Sequence, residues 1–148
     1  MRIFLGADHN GLELKAALKD YLTRLGHQVV DEGNTKLNPE DDFPLFASRV
    51  VSAMLSSDEA DPRGILICGS GQGMCMAANR FKGIRSALCW NTKEANAARN
   101  DDNSNVLCLS ARSTSASQAE EIANVWLGTA FAGAPRFIRR LKELDQLA

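Results

Sequence analysis

Cys68 ends the apolar run Gly64-Ile65-Leu66-Ile67-Cys68 and stands directly before Gly69-Ser70-Gly71-Gln72-Gly73. A strand that passes through a glycine-rich turn into a helix leaves unpaired backbone N–H groups at the positive end of the helix dipole, where an anion is stabilised. A thiol so placed has a lowered pKa and can act as a base or a nucleophile. Equally, Cys68 can be a small apolar strand residue, as buried cysteines usually are. The turn can cradle an oxyanion or a phosphate, with the Ser70 hydroxyl as a further donor. It lacks the Gly-Lys-Ser/Thr of a P-loop, and G-x-G-x-G falls short of the dinucleotide fingerprint, so a plain tight turn is the competing reading.

Asp8-His9 follow another apolar run, Ile3–Ala7. Asp8 can orient a loop or a sugar hydroxyl, and His9 can bind a phosphate or transfer a proton. The pair can also be a helix cap and a solvated imidazole. Arg136 and Arg140 are four apart in a helical stretch and share a face. Two guanidinium forks suit a phosphate dianion. Arg139 and Lys142 beside them also fit a solvated basic face. Cys75, Cys89 and Cys108 fall inside strands or a helix and are expected to be structural. The cysteines form no CxxC pair and no zinc-type spacing with His9 and His27, so no metal is expected. Four free thiols suit a reducing cytoplasm.

The elements that position these residues alternate. Strand-like runs cover Ile3–Ala7, Val29–Asp31, Gly64–Cys68, Ile84–Cys89 and Val106–Leu109. Leu14, Leu18, Tyr21, Leu22 and Leu25 recur at helical spacing, with Gly26 as the stop. Asp42-Phe43-Pro44 reads as an N-cap with proline in the first turn of a helix to about Ser56. Met74–Phe81 reads as a helix. Asn91 with Glu94, and Ser115 with Gln118, give capping patterns for helices to about Asn100 and Phe131. Pro135 opens a last helix, about 135–147, with Phe137, Leu141 and Leu144 on one face. The fold class is therefore α/β: a five-stranded parallel sheet with helices on both faces, a Rossmann-like three-layer sandwich. Sites in such sheets lie at the carboxyl ends of the strands.

The chain has 148 residues, the length of a single domain. With 17 Lys+Arg against 18 Asp+Glu it carries no nucleic-acid footprint. No apolar run approaches the ~18 residues of a membrane span. The N-terminus, Met1-Arg2-Ile3-Phe4-Leu5-Gly6, is too short in its apolar part for a signal peptide and reads as the start of a strand, so no signal peptide is expected.

Taken together, the chain resembles the ribose-5-phosphate isomerase B family, which also contains the galactose-6-phosphate isomerase subunits. The marks are Gly6-Ala7-Asp8-His9-Asn10-Gly11, Asp42-Phe43-Pro44, Gly64–Met74, Ala77-Ala78-Asn79-Arg80, Gly83-Ile84-Arg85, Asn105-Val106-Leu107 and the Arg136/Arg140 pair. The cysteine-glycine block followed by Ala-Ala-Asn is the specific one.

The resemblance implies isomerisation of a sugar phosphate between aldose and ketose through an enediol, without metal or organic cofactor. Cys68 matches the catalytic base. Ser70, where Thr is common, would steady the enediolate together with the N–H groups of Gly69, Gly71 and Gly73. His9, Arg112, Arg136 and Arg140 match phosphate or substrate positions, and Asp8 a substrate hydroxyl position. The resemblance further implies a homodimer, possibly a tetramer, with sites between subunits and the last helix packed on a partner. Asp101 stands where the family has the histidine that opens the sugar ring, Asp102 where Asn is usual, and Phe43 where Tyr is frequent, so Asp101, or else His9, is expected to take over ring opening. Ribose 5-phosphate is the leading substrate. A tetrose 4-phosphate, a hexose 6-phosphate and a non-catalytic sugar-phosphate-binding subunit are the alternatives.

Overall fold

The computed structural model describes residues 1–147. Five strands, β1 (Arg2–Ala7), β2 (Gln28–Asp31), β3 (Arg63–Cys68), β4 (Ser86–Leu88) and β5 (Val106–Ser110), form one sheet in the order β2-β1-β3-β5-β4. Every pairing is parallel. The helices are α1 (Leu12–Arg24), α2 (Phe43–Leu55), α3 (Gln72–Ala78), α4 (Thr92–Asn100), α5 (Ala116–Gly128) and α6 (Pro135–Asp145). The expected α/β fold is found.

Alternation along each strand builds two cores. Ile3, Leu5, Ile65, Ile67, Leu107 and Leu109 face α1, α4 and α5, where Leu18, Leu22, Ala95, Ile122 and Trp126 are buried. Phe4, Leu66, Cys68, Val106 and Cys108 face α2 and α3, against Phe46, Val50, Met54 and Met74. Both faces are covered, which is why the strand sequences are apolar throughout.

Several element ends differ from expectation, each for a local reason. β4 is three residues long, and just before it the side chain of Asn105, not a ladder carbonyl, accepts the Arg85 N–H at 2.8 Å. α3 ends at Ala78, and Arg80 and Phe81 continue in tighter turns to the carbonyls of Ala77 and Ala78. α5 ends at Gly128, where Thr129 turns to extended backbone (φ −91°, ψ 122°). Asp42 occupies the N-cap position of α2, but its side chain caps nothing. A cap needs the N–H of the second or third helical residue. Pro44 has no N–H, and Leu45 N–H already donates to the Asp42 carbonyl at 3.2 Å. In α6 only Phe137 is buried, while Ile138 and Leu144 are 41% and 49% exposed.

Candidate active site

Gly71 sets the turn between β3 and α3. Its φ of 77° lies in the left-handed region, and a Cβ there would stand 2.5 Å from Leu88 Cδ1 and 3.0 Å from the Leu109 carbonyl. Cys68 therefore ends β3 buried on the α2/α3 face, directly beneath the start of α3. Ser70 Oγ accepts the Gln72 N–H at 3.3 Å, so its own proton is left to donate outward. The first N–H groups of α3 have no carbonyl to meet within the helix. Arg112 comes to the same turn: its backbone N–H donates to Gly69 O at 3.0 Å, and a Cβ on Gly69 would meet its Nη2 at 2.9 Å. Ser110 Oγ donates to the same carbonyl at 2.9 Å.

Asp8 and His9 lie at the carboxyl end of neighbouring β1. The Asp8 carboxylate accepts from Asn10 N–H (3.0 Å) and Gly11 N–H (3.2 Å), so it fixes the loop into α1. Asp41, reached by the long loop after β2, accepts from His9 N–H at 2.9 Å, bonds Nδ1 at 2.7 Å and accepts from Asn34 Nδ2 at 3.2 Å. The His9 pKa is raised, first by the hydrogen bond to Asp41 and further by the charges of Asp8 and Asp41, against a smaller effect of burial. Burial would raise Asp41, but the His9 N–H groups and Asn34 outweigh it and hold Asp41 low. The pair thus favours imidazolium against carboxylate. The ligand atoms of Asp8, His9 and Asp41 lie within 4.8 Å of one another. Their inward lone pairs serve these N–H donors, an arrangement that suits an oriented imidazole better than a metal.

The other expected site residues lie elsewhere. Asp101 and Asp102 follow α4, before β5, at the amino edge of the sheet. Cys68 pairs with Ser110 and Gly64 with Val106. The four-residue rise of β3 between them spans about 13 Å. Within one chain, Cys68, Ser70, His9 and Arg112 therefore cannot share a small substrate with Asp101 and Asp102. Asn100 Nδ2 donates to Asp101 Oδ1 at 2.7 Å. The Asp102 carboxyl is raised by partial desolvation and by Asp101, and lowered by Arg140, which places Arg140 at this edge. Arg136 lies over the Phe137 ring, 4.6 Å from its centroid.

The remaining cysteines are not equivalent. The half-buried Cys75 thiol is brought down to about 6, chiefly by hydrogen bonding with the Cys108 thiol, against burial and with help from Ser86 and the Leu88 backbone. Cys75 Sγ lies 3.4 Å from Ser86 O, and Ser86 Oγ 3.1 Å from Cys108 Sγ. Burial raises Cys108 and pushes Cys89 up to about 12.

This arrangement has close counterparts. The ribose/galactose isomerase family pattern matches residues 3–144. The chain belongs to the ribose/galactose isomerase family. A probable ribose-5-phosphate isomerase B of Mycoplasma pneumoniae is 43% identical over 133 residues, 88% of this chain and 85% of that protein. A Thermotoga maritima ribose 5-phosphate isomerase shares 41% identity with a TM-score of 0.93, covering 99% of this chain and 98% of that one. The Mycoplasma genitalium ribose-5-phosphate isomerase B, solved with ribulose-5-phosphate bound, shares 40% identity with a TM-score of 0.91, covering 98% of this chain and 94% of that one. Ribose/galactose isomerases are thus related to this chain over nearly its full length. No helix among the described residues is long and apolar enough to cross a membrane.

Asp41, Asn10 and Ser110 are the site neighbours that the sequence reading missed. The signal for Asp41 was the adjacent pair Asp41-Asp42 before Pro44: only one can be the cap position, which leaves the other free for a different partner.

Proposed function

We propose that this chain interconverts ribose 5-phosphate and ribulose 5-phosphate as an aldose–ketose isomerase of the reducing cytoplasm. The observation that carries the reading is the Cys68–Gly69–Ser70–Gly71 turn at the end of β3, in a chain 40% identical to a protein solved with ribulose-5-phosphate. The Cys68 thiolate takes the proton from C2 of the open-chain aldose. The C–H electron pair becomes the C1–C2 double bond, and the carbonyl pair moves to O1. Ser70 O–H and the N–H groups at the start of α3 stabilise that enediolate oxygen. The proton of O2 then passes to O1, the O2 electron pair forms the C2 carbonyl, and the C1–C2 double-bond pair takes the proton back from the Cys68 thiol at C1. All atoms and electrons stay within substrate and side chains, so no cofactor is required. His9 as imidazolium and Arg112 supply positive charge for a phosphate ester at this edge.

The site is completed by a second copy of the chain, in a homodimer. Asp101, Asp102 and Arg140, which strand length holds away from their own Cys68 turn, serve that of a partner, together with Arg136 one turn before Arg140 on α6. An apolar groove of about 490 Å³ beside this turn, lined by Phe43, Gly73, Met76 and Phe81, supports a docking face. So does the exposed apolar side of α6. Mixing Cys68→Ala chains with Arg140→Ala chains, each inactive alone, restores about a quarter of wild-type activity if subunits exchange statistically, since half the dimers are mixed and carry one intact site. Two inactive variants that stay inactive on mixing mean that the site lies within one chain.

A second reading rests on Asp101. A carboxylate held by Asn100 can accept the anomeric proton but, unlike an imidazolium, has none to donate to the ring oxygen, and a tetrose 4-phosphate needs no ring opening. A panel of four- to six-carbon aldose phosphates decides. Preferred turnover of ribose 5-phosphate supports the first reading, and turnover of the tetrose or a hexose alone replaces it.

A further inference from the structure

At the amino edge of β3, two arginines are buried against one tryptophan. Arg63 and Arg99 are 4% and 3% exposed. Their guanidinium carbons lie 5.4 and 5.9 Å from the Trp126 ring centroid. Trp126 is itself fully buried and donates from Nε1 to Ser104 Oγ at 2.9 Å. Arg99 gives Nε to Thr129 O (3.3 Å) and Nη1 to Asn103 Oδ1 (2.9 Å) and Ser104 O, all neutral acceptors. Arg63 spends Nε (3.0 Å) and Nη2 on the Asp61 carboxylate, while its Nη1 is buried with no partner among the described residues. Among the described residues, Asp61 is the one carboxylate bonded to this pair. Arg85 contributes further positive charge from the side, and its Nη1 lies 3.9 Å from Asp145 Oδ1.

Two buried cations against one exposed anion is an uncompensated arrangement. Burial, and next the charge of Arg63, bring the Arg99 guanidinium down to about 10, with Asp61 opposing. A cavity of about 420 Å³ opens on both arginines, walled by Asp61, Asn103, Thr129 and Phe131. That size falls within the range of small-molecule sites. Its lining includes none of Asp101, Asp102, Arg136 and Arg140.

We propose that the Arg63–Arg99 cavity binds a small oxyanion, a phosphate or carboxylate group whose charge compensates the arginine pair. The inference stands apart from the isomerase reading, because it uses no residue assigned to that reaction.

Trp126 is a local reporter. The chain has two tryptophans, and the other, Trp90, is 64% exposed. In Trp90→Phe protein, Trp126 fluorescence is titrated with inorganic phosphate and, separately, with malonate, each against sodium chloride at matched ionic strength. A saturable change with phosphate or malonate is expected, and the anion with the lower midpoint identifies the preferred group. Asp61→Asn removes the competing carboxylate and lowers the midpoint about fivefold, the effect of one unit charge at ~4 Å in water. Arg63→Met keeps the aliphatic packing and abolishes the response. If Arg63→Met does not fold, the exposed Asp61→Asn substitution decides alone. The proposal is overturned by the absence of a saturable change, by a response that chloride reproduces, or by a midpoint that Asp61→Asn leaves in place.

Discussion

The Asp41 carboxylate holds His9 twice, through the backbone N–H at 2.9 Å and through Nδ1 at 2.7 Å. A side chain from the loop after β2 thereby fixes both the position and the orientation of a ring at the end of β1, leaving Nε2 to face a ligand.

The pair has a defined pH window. His9 is raised above its ordinary 6.5, so its contribution to stability is complete below about 6.5 and is lost as pH rises through the raised value. Asp41 is lowered below 3.8, so its contribution is complete above 3.8 and is lost as pH falls through the lowered value. Between these limits the imidazolium is kept. KM for the phosphate ester should rise on the alkaline side as His9 loses its proton, and Asp41→Asn should move that limb to lower pH. An NMR titration of His9 checks it directly: a His9 pKa unchanged in Asp41→Asn contradicts the pairing.

Thiol chemistry should separate the cysteines. Cys75 is half-buried and lowered to about 6, whereas Cys89 and Cys108 are buried and raised. Near pH 7 iodoacetamide should label Cys75 well before either of those two, since the thiolate is the nucleophile. Peptide mapping that finds Cys89 or Cys108 labelled first would overturn the order.

The turn should tolerate no side chain at Gly71. Gly71→Ala meets both a left-handed φ and the Leu88 and Leu109 contacts. The backbone strain alone costs about 1–2 kcal/mol. Each kcal/mol lowers Tm by roughly 2–4 °C at this chain length. A thermal melt within 1 °C of wild type would show that the turn relaxes freely.

Much of this was legible before the structure. Apolar runs on both strand faces dictated a doubly covered parallel sheet, and the carboxyl-edge rule drew Asp8, His9, Cys68 and Ser70 together. The same rule, followed one helix further, puts Asp101 and Asp102 at the opposite edge, because α4 must return the chain to the start of β5. Pairwise contacts that depend on loop geometry were not legible. The His9–Asp41 bond closes a separation of 32 residues through a loop without periodicity. The silent Asp42 cap depended on Pro44 removing one donor while the Asp42 carbonyl engaged the other.

The central claim is that the Cys68 thiol moves the proton between C2 and C1 of ribose 5-phosphate. The direct measurement is deuterium incorporation from heavy water into substrate and product, followed by NMR for wild type and Cys68→Ala. The account predicts that wild type exchanges the transferred hydrogen with solvent, whereas Cys68→Ala loses at least ~10²-fold in both exchange and turnover, as removal of a positioned base does. Binding of ribulose 5-phosphate should persist in that variant, because the thiol holds no phosphate. Cys68→Ala protein that keeps more than about a tenth of the wild-type exchange would contradict the account, since a general base supplies 10²–10⁴-fold.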